Sequence, residues 1–194
     1  MNRRQFGRTA GAGLIALALA ACGKEDAPPA PPAAAPALSN AQMYEQAATA
    51  NGFSVGPMMA ANTAYIFFDT ACPHCAVVWN SAKPLAGKLR IVWIPVGFLS
   101  KASAPRGAAI LAAADPAKAM DANESTVLSG QQSGEPASVD ADAAAKVAAN
   151  TGMMRKFGAD GVPLIIYKNA RSGEYGAQAG QLDTDQLAAL LGVQ

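Results

Sequence analysis

The sequence predicts an α/β domain: a βαβ unit, a helical insertion, then a β-hairpin and a closing helix. Three observations predict it. Short apolar runs rich in β-branched and aromatic residues alternate with Ala-rich stretches of helical spacing. A Cys-x-x-Cys group, Cys72 to Cys75, sits where the first apolar run gives way to the first helical stretch. A proline, Pro163, stands after Gly161-Val162 at the entry to a later run.

The elements follow in order. "TAYIFFD", 63–69, is the first strand of this domain, and "LRIVWIPV", 89–96, the second. Between them "CAVVWNSAKPLAGK" has helical spacing, and Pro84 is expected to kink that helix by removing a donor and crowding the preceding turn. Residues 100–158 form the insertion, Ala-rich and helical, broken near Pro116 and again at "SGQQSGEP". "VPLIIYK", 162–168, is the third strand; a weaker fourth, "EYGAQAG", 174–180, follows the turn-like "NARSG". "DTDQLAALLG" closes the domain as a helix capped by Asp183.

Ahead of this domain, expected to span 63–194, lie three shorter segments. Residues 1–21 read as an export signal. Arg3 and Arg4 with Gln5-Phe6 resemble a twin-arginine motif, and the uncharged core Thr9–Ala21 is shorter than the roughly 20 apolar residues a membrane span needs. "LAAC" resembles a lipobox, which makes Cys22 the expected lipid attachment point. Several acyl chains there would hold the protein firmly, at about 0.8 kcal/mol per buried methylene. Residues 22–38 then form a Pro/Ala-rich spacer, "APPAPPAAAPA", which favours extended polyproline structure. Residues 39–62 supply a helix, capped by Ser39 or Asn40, and a lead-in.

Composition narrows the function. The net charge is +1, which excludes charge-driven nucleic-acid binding. Removing Arg3, Arg4 and Arg8 from the 15 basic residues leaves the chain weakly acidic against its 14 Asp and Glu. Export also places the cysteines where disulfides persist.

The chemistry concentrates in "FFDTACPHCAVVW". A structural zinc site takes four N or S ligands, yet this stretch holds the chain's single histidine and two of its three cysteines. Copper held by Cys72, Cys75 and a methionine such as Met58 or Met153 is another reading. A purely structural disulfide would close so small a loop that it would stabilise little. A redox pair accounts for the most residues. Cys72 would cap a helix whose first residue is Pro73, where a missing donor costs nothing. Backbone donors and the positive helix end then favour a Cys72 thiolate, with His74 a further donor or positive charge. Cys75, one turn on, is placed as the resolving thiol. Asp69, three residues before Cys72, either helps move the Cys75 proton or shapes the turn that leaves the strand.

These residues resemble the catalytic domain of the periplasmic DsbC/DsbG thiol:disulfide interchange family, DsbG most of all. "FFDTACPHC", "WIPVGFL", "AAILAAADPAKAM" and "KFGADGVPLIIY" carry the resemblance, from about Tyr65 to the C-terminus. It implies a thioredoxin fold and thiol–disulfide exchange with cysteine-containing periplasmic proteins. No cofactor is implied beyond the redox-active Cys72–Cys75 disulfide. It also implies a cis Val162–Pro163 bond in a loop facing the cysteines and pairing with substrate backbone. A DsbB- or DsbD-type membrane protein is the implied recycling partner. Three departures stand out. The family's N-terminal dimerisation domain is replaced by an anchor, spacer and helix, so a monomer is expected. Pro73-His74 between the cysteines is the dipeptide of DsbA, the periplasmic oxidase. Val162 is also DsbA-like, where DsbC and DsbG carry threonine. The alternative functions are a non-catalytic copper-handling or partner-binding lipoprotein.

Overall fold

In the computed structural model, which describes residues 37–193 apart from 132, 133, 135 and 137, the sheet is built around one enclosed strand. The elements run α1 (Asn40–Ala47), β1 (Phe53–Val55), β2 (Thr63–Asp69), α2 (Pro73–Ala82) and β3 (Arg90–Val96). They continue with α3 (Ser103–Ala112), α4 (Pro116–Leu128), α5 (Ala141–Lys156), β4 (Leu164–Lys168), β5 (Tyr175–Ala179) and α6 (Thr184–Leu191). The signal sequence, the lipid attachment at Cys22 and the proline-rich spacer lie outside the described residues.

Strand order is β1-β3-β2-β4-β5. β2 pairs in parallel with β3 and antiparallel with β4, and β4 pairs antiparallel with β5. That is the βαβ unit, helical insertion and ββα unit read from the sequence. β2 and β3 are near-continuous apolar runs because both faces of the sheet are covered. Alternate side chains serve two cores. Ala64, Ile66, Phe68, Ile91 and Trp93 pack with residues of α2, α4 and α6. Tyr65, Phe67, Val92, Ile94 and Val96 pack with Met43 and Ala47 of α1 and Met154 of α5.

Two expectations are corrected. β1 was not expected: Phe53–Val55 pairs antiparallel with Ile91–Trp93 and extends the sheet before residue 63. Three residues show too little alternation to signal a strand. Phe53 earns its place by stacking edge-on against Phe68 and Trp79. The chain enters β1 at Gly52, where a Cβ would lie 2.6 Å from the Trp93 carbonyl oxygen, so only glycine fits that approach. Second, Pro84 does not kink a longer helix. α2 ends at Ala82 and a 3-10 turn, Lys83–Leu85, follows, because the missing donor ends the ladder there.

A buried polar bridge ties α5 of the insertion to the sheet. Asn150 of α5 is fully enclosed; its amide nitrogen donates to the carbonyls of Asn51 (2.7 Å) and Pro95 (3.0 Å). Its oxygen accepts from the Asn51 N–H at 3.0 Å. Pro95 is tolerated in β3 because its nitrogen, on the same side as that carbonyl, lies beyond the end of β1. Asn150→Ala leaves these groups unpaired, and the expected cost is about 1–3 kcal/mol. Urea unfolding checks it: the midpoint should fall with the slope unchanged, and an unmoved midpoint contradicts the bridge's importance.

Candidate active site

β2 ends at Asp69, the chain turns through Thr70 and Ala71, and Cys72 caps α2 in an extended conformation (φ −95°, ψ 110°) with Pro73 at the first helical position. This geometry aims the helix's unpaired N–H groups at the cap side chain. The Cys75 N–H donates to the Cys72 sulfur at 3.2 Å. A backbone hydrogen bond from His74 reaches the same sulfur. Both cysteines are free thiols; Cys72 keeps 3% of its surface exposed and Cys75 none.

The two sulfurs are driven apart in acidity. Cys72 lies below an ordinary thiol: the Cys75 thiol donates to it, and the Cys75 and His74 N–H groups add to that. Burial and the Asp69 charge oppose this without reversing it. Cys75 is pushed well above the ordinary value, by burial first and then by its hydrogen bond with Cys72. Of the two, Cys72 is thus the more readily ionised and Cys75 the one that keeps its proton. His74 contributes through its backbone; its side chain is exposed.

The Val162–Pro163 peptide bond is cis, and this loop lies against the cysteines: the Cys72 thiol donates to the Val162 carbonyl at 3.5 Å. Asp69 is fully enclosed and all its side-chain bonds serve the turn. One carboxylate oxygen accepts from the Ala71 N–H at 2.8 Å and the Ser103 hydroxyl at 2.6 Å. The other accepts from the N–H groups of Phe98 and Leu99, each at 2.8 Å. Asp69 meets the Cys75 sulfur through a backbone hydrogen bond. The geometry thus matches the turn-shaping reading of its carboxylate.

Among the described residues, no group of three or more His, Cys, Asp or Glu is gathered to hold a metal ion. Met153 packs with the core on the sheet face opposite Cys72, and Met58 is 70% exposed.

Sequence reasoning missed one group at this site, Glu124 of α4. It is 1% exposed, with Oε1 accepting from the Asn123 amide at 3.1 Å and Oε2 unpartnered. Asn123 in turn donates to the Thr70 carbonyl, two residues before Cys72. Burial raises the Glu124 carboxyl from 4.5 to about 8, and the charges of Cys72 and Asp69 push the same way. A carboxylate one turn from Met120 on an Ala-rich helix was the available signal. Which face of that helix is buried is set by the fold, so the sequence alone does not single Glu124 out.

The sign of the pH dependence follows. Between pH 4.5 and about 8 the folded protein keeps a proton that the unfolded chain releases, so stability is full below 4.5 and declines as pH rises through about 8. Glu124→Gln removes this contribution. The variant's unfolding free energy, measured in reduced protein, should gain on the parent's steadily from pH 5 to pH 8. Parallel curves would show that Glu124 is not a buried acid.

No family model matches the chain. It is 34% identical over 159 residues to the thiol:disulfide interchange protein DsbG of Pseudomonas aeruginosa, covering 78% of this chain and 59% of that protein. With the Escherichia coli DsbG it shares 33% identity over 106 residues, 53% of this chain and 42% of that protein. The chain thus spans roughly half the length of these curated relatives. Among solved structures, the catalytic domain of Proteus mirabilis ScsC superposes with a TM-score of 0.58 at 19% identity, covering 78% of this chain and 94% of that one. That likeness concerns the fold, which is the thioredoxin fold. Over its globular domain, this chain belongs to the DsbG-type thiol:disulfide interchange proteins.

Proposed function

We propose that the protein is a membrane-tethered periplasmic thiol:disulfide oxidoreductase working through Cys72 and Cys75. One observation carries the reading: the Cys72 sulfur caps α2, 3.2 Å from the Cys75 N–H, while the Cys75 thiol is enclosed beside it. A sulfur held as thiolate is both a better nucleophile at neutral pH and a better leaving group.

In the oxidising direction a substrate thiolate attacks the Cys72 sulfur of the Cys72–Cys75 disulfide, and Cys75 leaves. A second substrate thiol attacks its own half of the mixed disulfide, releasing Cys72 as thiolate. In the reducing direction the Cys72 thiolate opens a substrate disulfide and Cys75 then resolves the mixed disulfide, releasing the substrate thiolate. In both directions Cys72 is the atom that meets substrate. The Val162–Pro163 loop, whose carbonyl already lies against that sulfur, supplies the backbone that pairs with the substrate strand. The recycling partner sets the net direction, a quinone-linked protein of DsbB type for oxidation or one of DsbD type for reduction. The reducing role includes rescue of sulfenic acids on lone cysteines. The lipobox-like LAAC at Cys22 supports the anchoring, and a single-chain state is part of the same proposal.

Cys72→Ser should abolish disulfide exchange, while Cys75→Ser should accumulate mixed disulfides visible on non-reducing gels. Exchange undiminished in Cys72→Ser contradicts the reading and favours a partner-binding protein. Stoichiometric copper on the reduced protein, lost on Cys72→Ser, would favour a copper carrier instead. Small-angle scattering should give the mass of one chain; twice that mass contradicts the monomer. Alkylation trapping in intact cells reads the direction: oxidised cysteines that become reduced when quinone-linked reoxidation is blocked mark an oxidase.

A further inference from the structure

Asp69 and Glu124 are the enclosed acids near the cysteines among the described residues; Asp69 shapes the turn, and Glu124 is left without a task. Three observations place it. Met120, one turn earlier on α4, packs in the same core cluster as Cys72 and Cys75. Asn123 joins the Glu124 carboxyl to the Thr70 carbonyl in the turn that presents Cys72. The second carboxyl oxygen, Oε2, is buried with no hydrogen-bond partner. An enclosed oxygen left unpaired is costly and is held only where surrounding structure compels it.

We propose that Glu124 exchanges the proton of the buried thiol, taking it when Cys75 attacks a mixed disulfide and returning it when a substrate thiolate opens the Cys72–Cys75 bond. The inference rests on the Cys72–Cys75 reading above. The need is specific. Cys75 has to shed a proton to attack, yet burial and its neighbour hold that proton on. Cys75 has no exposed surface, so its sulfur does not meet bulk solvent. Glu124 is enclosed near enough for its charge to act on Cys75, and its unpartnered Oε2 leaves the proton to pass through one bridging water.

The step balances. With substrate bound as Cys72–S–S–R, the Cys75 proton moves to the ionised Glu124. The Cys75 thiolate then forms a bond to the Cys72 sulfur, the bond from Cys72 to the substrate sulfur breaks, and the substrate leaves as thiolate. The cysteine pair is oxidised and the substrate sulfur reduced. In reverse, Cys75 departs as thiolate and protonated Glu124 neutralises it. Forming the mixed disulfide removes the Cys72 charge that favours the neutral acid, so Glu124 becomes a ready acceptor when an acceptor is needed.

The groups facing Glu124 are few. Cys72 and Cys75 come from the start of α2 and Asp69 from the end of β2. The charged groups just after α2 and on α3 are engaged elsewhere: Lys83 pairs with Asp121 at 2.7 Å, and the Arg106 Nε donates to the Gly134 carbonyl. His74 is exposed, and β1 carries no titratable residue.

The test loads Cys72 with glutathione and follows release of glutathione by Cys75 against pH. In the parent the rate should rise to a plateau as Glu124 ionises. In Glu124→Gln it should be about a hundredfold slower at pH 7, the lower end of a positioned proton-transfer group's contribution, and climb without a plateau. Glu124→Asp, which keeps a carboxyl, should recover part of the rate. A parent-like rate and profile in Glu124→Gln overturns the proposal while leaving the cysteine pair intact. Failure to form the Cys72 adduct at all overturns both. A second readout needs no variant: infrared difference spectra between oxidised and reduced parent protein should contain a carboxylic acid band, and its absence also overturns the proposal.

Discussion

The hydrogen bond from the Cys75 N–H to the Cys72 sulfur is the contact on which the site depends, and it exists because a helix begins at Pro73. The first N–H groups of a helix have no partner within it, and a proline at the first position loses nothing. A side chain at the cap then receives those donors. When that side chain is a thiol, the donors favour its anion, and the same helical turn carries Cys75 into the core. One local geometry thus separates the roles of two chemically identical residues.

The rest of the domain holds that helix start in place. β2 delivers Cys72 from the centre of the sheet, and the Asp69 carboxylate braces the connecting turn at Ala71 and fastens it to Phe98 and Leu99 of the β3–α3 loop and to Ser103 at the start of α3. Asn123 of α4 fastens the same turn from the other side at Thr70. The insertion therefore does more than lengthen the chain: α3, through Ser103, and α4, through Asn123, both grip Thr70, two residues before Cys72. α1 plays a different part on the far face. Its Tyr44 ring packs edge-on between Tyr65 and Tyr175 and its hydroxyl donates to the Thr63 carbonyl, so the helix closes the second core.

Much of this was legible in the sequence, and for physical reasons. β2 and β3 announce themselves because enclosed strands need unbroken apolar runs. Cys72, Pro73 and Cys75 announce a capped helix because their spacing repeats one turn. What escaped notice depended on tertiary placement. The strand at Phe53 is too short to show a period, and it forms because its aromatic ring finds Phe68 and Trp79. Pro84 ended its helix where a kink was expected, since which outcome follows depends on packing after the proline. Asp69 offered two readings until the loop at Phe98 and Leu99 came within reach of it. Glu124 is the sharpest case. An acid in an Ala-rich helix reads as a surface residue until the fold shows which face is turned inward.

The central claim concerns the charge on one sulfur, and titrating the thiolate absorbance of the reduced protein tests it most directly. One thiol should ionise below the ordinary 9.0, as the donors on Cys72 require, and the other well above it. The lower transition should vanish in Cys72→Ser. If instead Cys72 ionises at or above an ordinary thiol's value, the helix start is not holding an anion, and the account of the site is wrong.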